Sequence, residues 1–312
     1  MIKYLQLIRF KNLLLVGFMQ LMFRYGFLKL NNVELALTDF QFLLLLFATI
    51  LLAAGGYVIY SILHQANDIG TNKKVVIGAA ISENWAYNFY FALTISAVAI
   101  GYYLSNVIQR PGFLVFFITA ATLLYFYASQ LKYVLLLGNL VVSFLVAFSI
   151  LIIGFFDLFP ATDFGNTQIM RTYFSILFDY SVMAFLIILS NEIIKDIAHF
   201  ERDYKNGNKT LAVVIGIKNS KYAVAVLVAV PVVLILKYIN TYLMTNNLFF
   251  AAAYGLLFLI APLLYVIIRL LGAKSKFDYE HINKVLKIII VFGILSVLIM
   301  SKNIIYNVTP KL

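Results

Sequence analysis

Asn191-Glu-Ile-Ile-Lys195-Asp196-Ile-Ala-His199-Phe-Glu-Arg-Asp203-Tyr-Lys-Asn-Gly-Asn-Lys209-Thr210 is the stretch on which the reading of this chain turns. It closes a long apolar run and gathers Glu192, Asp196, Glu201 and Asp203 in a protein that has only 13 acidic residues. Within it, Asp196-x-x-His199-x-x-x-Asp203 repeats the spacing of Ser61-x-x-His64-x-x-x-Asp68, which ends an earlier apolar run. The chain has 3 histidines, so two of them hold equivalent places. On a helix the offsets 0, 3 and 7 share one face, which predicts a polar stripe at each place.

Around these stripes the chain is overwhelmingly apolar. Its mean hydropathy is +0.95, with 63% hydrophobic and 12% charged residues. A soluble globule carries about 25% charged residues, so that class is excluded. Runs of membrane-spanning length recur at 12–30, 40–63, 85–108, 112–129, 133–156, 172–196, 219–240, 247–270 and 283–306. They predict an all-α integral membrane protein of nine transmembrane helices, the first weakened by Arg24. No small-residue cleavage site follows the N-terminal run, so a cleavable signal peptide is not expected. Cysteine is absent, which removes disulfide and thiolate chemistry.

The net charge of +11 sorts by side of the membrane. With nine spans and a cytoplasmic N-terminus, inner segments hold seventeen of the 24 basic residues, including Lys74, Lys132, Lys195 and Lys209. That asymmetry is the positive-inside pattern, and it needs no nucleic-acid partner. It puts the C-terminus outside and both stripes at the cytoplasmic face.

No soluble domain or low-complexity linker interrupts residues 1–312, so a single transmembrane domain is expected. Two inner loops, about 64–84 and 197–218, are long and each follows a stripe. Two related halves facing a central cavity would explain the pairing. Glu192 and Asp196 fall at the bilayer edge, where an unpaired carboxylate costs a few kcal/mol and must face a cavity or a partner. The plainer reading is a solvated helix end balanced by Lys195, Arg202 and Lys205; it leaves the matching stripe at 61–68 unexplained. His281 beside Glu280 reads as solvated surface.

These residues resemble the motifs of the UbiA superfamily of intramembrane prenyltransferases, and the chain is most similar to its bacterial geranylgeranylglycerol-phosphate geranylgeranyltransferase branch. The first family motif, N-D-x-x-D-x-x-x-D after G-Y-x-I, falls on Gly56-Tyr57-Val58-Ile59 and then Tyr60, Ser61, His64 and Asp68, within 55–84. The second, R-E-I-x-K-D-x-x-D-x-x-x-D, falls on Asn191, Glu192, Ile193, Lys195, Asp196, His199 and Asp203, within 187–218. Arg9, Asn12, Lys74, Tyr127, Lys132, Gly138-Asn139 and Gly207-x-Lys209-Thr210-Leu211 match as well, while a lysine usual near Ala79 is missing.

The resemblance implies a multi-pass protein of a bacterial inner membrane in which two aspartate-rich motifs hold magnesium ions on a polyprenyl diphosphate. Basic residues, here Lys74, Lys132, Lys195 and Lys209, help ionise that diphosphate, and an acceptor attacks the allylic cation. Arg9, Asn12, Tyr127 and Asn139 become candidates for the substrate pocket. Of about six aspartate positions only Asp68, Asp196 and Asp203 remain, with Glu192 nearby. Magnesium takes hard oxygen ligands, and imidazole suits zinc, iron, nickel or copper better. Tyr60 adds bulk where a small amide is usual.

Three functions are therefore expected in this order. The first is a pseudoenzyme that binds a membrane lipid or prenyl chain, or serves as a subunit of a membrane complex. The second is an active prenyltransferase with a reduced metal site. The third is a transition-metal site on His64, Asp68, His199 and Asp203.

Overall fold

The structure, a computed structural model, describes residues 2–64, 77–78 and 81–308. Asp68, Lys74 and Ala79 lie outside them. Among the described residues the fold is all helical, with no strand beyond one isolated bridge between Ile77 and Ile81.

Two short segments open the chain. Helix α1 (Ile2–Leu7) and α2 (Phe10–Phe23) meet at Arg9, whose φ of 49° is a left-handed conformation that costs a side chain energy. A π-helical turn, Arg24–Lys29, continues α2. Helix α3 (Asp39–Leu63) starts in a capping box, in which Thr38 accepts from Gln41 N–H and the Gln41 side chain accepts from Thr38 N–H. Then come α4 (Glu83–Val107), α5 (Leu114–Ser129), α6 (Leu137–Ile153) and the 32-residue α7 (Thr167–Ala198). A short α8 (Phe200–Lys205) leads into α9 (Leu211–Tyr238), α10 (Phe249–Tyr254), α11 (Ala261–Gly272) and α12 (Lys276–Val308). Additional π-helical turns extend α6 (Gly154–Leu158), α9 (Ile239–Leu243) and α10 (Gly255–Ile260).

Among the described residues, eight segments are long and apolar enough to cross a membrane. The first expected span, 12–30, is not among them, because Lys11, Asn12, Arg24 and Lys29 lower the hydropathy of α2 and its π-helical turn.

The chain divides into two compact units. The first comprises 1–20, 34–132 and 152–172, and is built on α3 packed against α4 and α5. Close approach is enforced by glycine: a Cβ at Gly56 would come within 2.7 Å of Leu124, and one at Gly101 within 2.4 Å of the buried Phe117 ring. At the end of α3, Leu7, Val58, Ile59, Ile62, Ile77, Ile81, Ala86 and Ala128 form an apolar cluster on which Tyr60 packs. The second unit comprises 21–33, 133–151 and 173–312. In it α11 packs on α9 and α12, and Ser181 on α7 donates to Ala147 O on α6 at 3.0 Å.

Candidate functional site

Both histidines of the repeated spacing sit at a helix end, in the same geometry. Helix α3 stops at Leu63, and His64 caps it with φ −115° and ψ 13°. Helix α7 stops at Ala198, and His199 follows with φ −110° and ψ 16°. Each ring Nδ1 lies against the carbonyl four residues back, His64 on Tyr60 O at 2.9 Å and His199 on Lys195 O at 2.7 Å. A carbonyl only accepts, so Nδ1 carries the proton. Those carbonyls lie in the last helical turns and also accept the histidines' own backbone N–H, at 3.2 Å for Tyr60 and 3.1 Å for Lys195.

This corrects the expectation of one polar stripe on one helix. The Asp196–His199–Asp203 spacing is broken at His199, and α3 ends at Leu63, the Asp68 of the first triplet lying outside the described residues. Asp203 stands on α8, one turn beyond His199, with its N–H donating to His199 O at 3.0 Å.

At the end of α3 the neighbours are cationic and aromatic. The Tyr60 ring stacks on His64 with centroids 4.4 Å apart and lies 6.1 Å from Tyr127. Lys132 Nζ sits 4.2 Å from the Tyr60 ring centroid and donates to the Tyr60 hydroxyl. The Arg9 guanidinium lies 5.0 Å over Tyr57 and 5.3 Å over Tyr60. Asn12 Nδ2 donates to the Tyr57 hydroxyl at 3.1 Å, and Ser61 Oγ donates to Tyr57 O at 2.9 Å. Segments far apart in sequence thus converge on Tyr60, a contact no local spacing announces.

At the end of α7 the neighbours are carboxylates and amides. Asn139 Nδ2 donates to Asp196 Oδ2 at 2.7 Å. Lys195 pairs with Glu192 one turn back, so the partner of Lys195 is Glu192 rather than the adjacent Asp196. The buried Asp203 accepts from Asn208 Nδ2 at 3.2 Å and pairs with Arg202 at 3.3 Å, and Asn208 N–H returns to Asp203 O at 2.9 Å. Asp203 therefore closes its own loop. Burial pushes the His199 imidazole below its usual 6.5; the Lys195 carbonyl opposes this, Arg202 and Lys276 add to it, and Asp203 offsets part. Asn191 is buried and its Oδ1 has no hydrogen bond among the described residues. Lys209 is exposed in the loop before α9.

The donor set among the described residues does not fit a pair of magnesium ions. From Tyr60 to His64 there is no carboxylate, and in the second motif Glu192, Asp196 and Asp203 each already accept from protein donors. Among the described residues no three His, Asp or Glu side chains are placed to hold a metal ion. A four-ligand transition-metal site would need Asp68, outside the described residues.

A membrane-spanning helical protein with two polar helix ends of this make is a class with known members. The UbiA prenyltransferase family model matches residues 31–280, and the chain belongs to that family. A digeranylgeranylglyceryl phosphate synthase of Saccharolobus solfataricus is 29% identical over 96% of both chains, and one of Methanosarcina mazei is 28% identical over 94% of this chain and 96% of its own. A solved structure described as giving insights into digeranylgeranylglyceryl phosphate synthase in membranes superposes with a TM-score of 0.67 at 25% identity, covering 96% of this chain and 97% of the other. A UbiA homolog from Archaeoglobus fulgidus bound to GPP and Mg2+ has the same fold, with a TM-score of 0.59 at 15% identity over 95% of this chain and 99% of its own. These relatives are archaeal, which lends no support to the expected bacterial source.

Proposed function

We propose that this protein is a prenyltransferase that joins the prenyl group of a polyprenyl diphosphate to the hydroxyl of a glycerol-phosphate lipid acceptor. One observation carries the reading: Arg9 and Lys132, from distant segments, meet at Tyr60 on the end of the first-motif helix. In the reaction the allylic C1–O bond breaks and the diphosphate leaves with both electrons. Fixed cationic donors lower the cost of that developing charge, the largest contribution such a site can make. Arg9 and Lys132 supply it at the first motif. Asp196, held by Asn139, orients the acceptor, whose hydroxyl oxygen bonds to C1 as its O–H bond breaks and the proton passes to the departing diphosphate. The relatives named digeranylgeranylglyceryl phosphate synthase support the choice of acceptor.

We place the motif ends at the cytoplasmic face of the membrane, with α2 as the first of nine crossings, the N-terminus inside and the C-terminus outside. The positive-inside charge distribution supports this. Single cysteines introduced into a chain that has none give a clean labelling test of each terminus.

A second reading is a lipid-binding subunit without turnover, favoured by Tyr60, Ser61 and His64 standing where oxygen ligands are usual. The experiment that separates the two is product formation by the purified chain from geranylgeranyl diphosphate and geranylgeranylglyceryl phosphate. Turnover that falls in Lys132→Ala supports the enzyme. No product at any divalent-ion concentration, with the intact protein isolated in a membrane complex, supports the subunit.

A further inference from the structure

The second unit holds a cavity of about 110 Å³, open on one side, among α7, α9, α12 and the π-helical turns Ile239–Leu243 and Gly255–Ile260. No residue of either motif lines it. Its carboxylate, Asp179, precedes Asp196 on α7 by 17 residues. At 1.5 Å per residue that is about 25 Å along the helix. The cavity is therefore separate from the motif end.

Asp179 lies within the membrane-crossing length Thr167–Ala198, is half-buried, and makes no hydrogen bond or ion pair among the described residues. A carboxyl group at such depth is costly unless something partners it. The other polar wall groups do not. Tyr180 and Ser296 pair their hydroxyls at 2.9 Å, and the Tyr238 hydroxyl donates to Met300 Sδ at 3.5 Å. Tyr238 thus spends its proton on a thioether and keeps its oxygen lone pairs. No lysine or arginine lines the cavity. What the wall offers a ligand is acceptors.

Elsewhere the wall is aliphatic, with Ile187, Ile235, Leu259 and Ile289. Open space reaches the backbone of α12, since a Cβ at Gly293 would meet nothing within 4 Å. By size the cavity would hold several waters at about 10–15 Å³ each, but each needs two to four polar partners, and the mostly aliphatic lining does not supply them. Two π-helical turns in one wall are a further departure from regular packing of a kind frequent at functional sites.

We propose that this cavity is a second binding site, for an alcohol on a hydrocarbon chain. The hydroxyl donates to the Asp179 carboxyl group beside the Tyr238 oxygen, and the chain lies on the aliphatic wall. A bilayer lipid alcohol and an isoprenoid alcohol share this chemistry.

The test is photolabelling of the full-length protein in maltoside detergent with diazirine-bearing hexadecanol, mapped by peptide mass spectrometry. Saturable labelling is expected on the end of α9 and on α12, competed by hexadecanol or by geranylgeraniol; the stronger competitor identifies the source. Labelling should fall about tenfold or more in Asp179→Leu and in Gly293→Leu, which fills the cavity, and only about threefold in Asp179→Asn, which keeps an acceptor oxygen. Thermal midpoints in detergent identify any variant that has lost its fold, and Asp179→Asn against Asp179→Leu then decides. Equal labelling of wild type and folded variants overturns the proposal. So does equal labelling by a diazirine alkane, or stronger labelling by the corresponding amine.

Discussion

The ends of α3 and α7 share a backbone and differ in everything around it. Both helices finish on a histidine with φ near −110°, and both rings return Nδ1–H to the carbonyl four residues back. The α3 end gathers His64, Tyr60, Arg9 and Lys132; the α7 end gathers Glu192, Asp196 and Asp203, with Lys195, Arg202 and Lys276 among them. The repeated spacing therefore reports a shared way of ending a helix. The chemistry is set by what each end gathers, a cationic cluster in one case and paired carboxylates in the other.

The most severe way to break the comparison is to remove the cation. Lys132→Ala should lower prenyl transfer by about a hundredfold, or about 2.7 kcal/mol in the barrier, measured as product formed per minute in detergent or vesicles. Lys132→Arg should recover part of it. An unchanged rate would remove Tyr60 and Lys132 from the site.

On the acidic side, Asp196→Asn keeps the shape and deletes the charge. Turnover is expected to drop about tenfold to thirtyfold, with the acceptor KM rising more than that of the diphosphate. Equal effects on both substrates would argue that Asp196 does not orient the acceptor.

The comparison can also be sharpened by making the first end resemble the second. Tyr60→Asn, Ser61→Asp and His64→Asp together supply carboxylates near Lys132. Tight magnesium binding, measured by calorimetry with inorganic pyrophosphate present, should be stronger in the triple variant than in the natural chain. If the natural chain already binds two magnesium ions tightly, the assessment of its donor set is wrong.

Asp203→Ala tests whether that carboxylate serves the loop. It strands the Asn208 amide and Arg202, at a cost of about 1–3 kcal/mol, read as a lower thermal midpoint. A rate loss without a stability loss would move Asp203 into the site.

The smallest effect concerns pH. His199 has a folded-state value below 6.5, chiefly through burial, so its proton binds more readily in the unfolded chain. Stability from the neutral ring is present above 6.5 and is lost as pH falls through the folded value. An NMR titration of His199 with a midpoint above 6.5 would reverse that sign.

Much of this was legible in the residues. The apolar runs at 40–63 and 172–196 mark α3 and α7 to within a few positions, and the acids after Ser190 mark a polar helix end. The continuous stripe was misread because helical offsets assume the helix continues, whereas both histidines cap it. Asp179 also went unread, although an acid inside an apolar run is itself a signal.

Composition and periodicity alone determined a helical membrane protein with two related polar ends, because hydrophobic length and charge placement are properties of contiguous sequence. Only the tertiary structure decided that Lys132 meets Tyr60, that Asn139 holds Asp196, and that Asp179 opens onto a cavity. Each depends on contacts between distant segments, and those are set by helix packing, which no local spacing encodes.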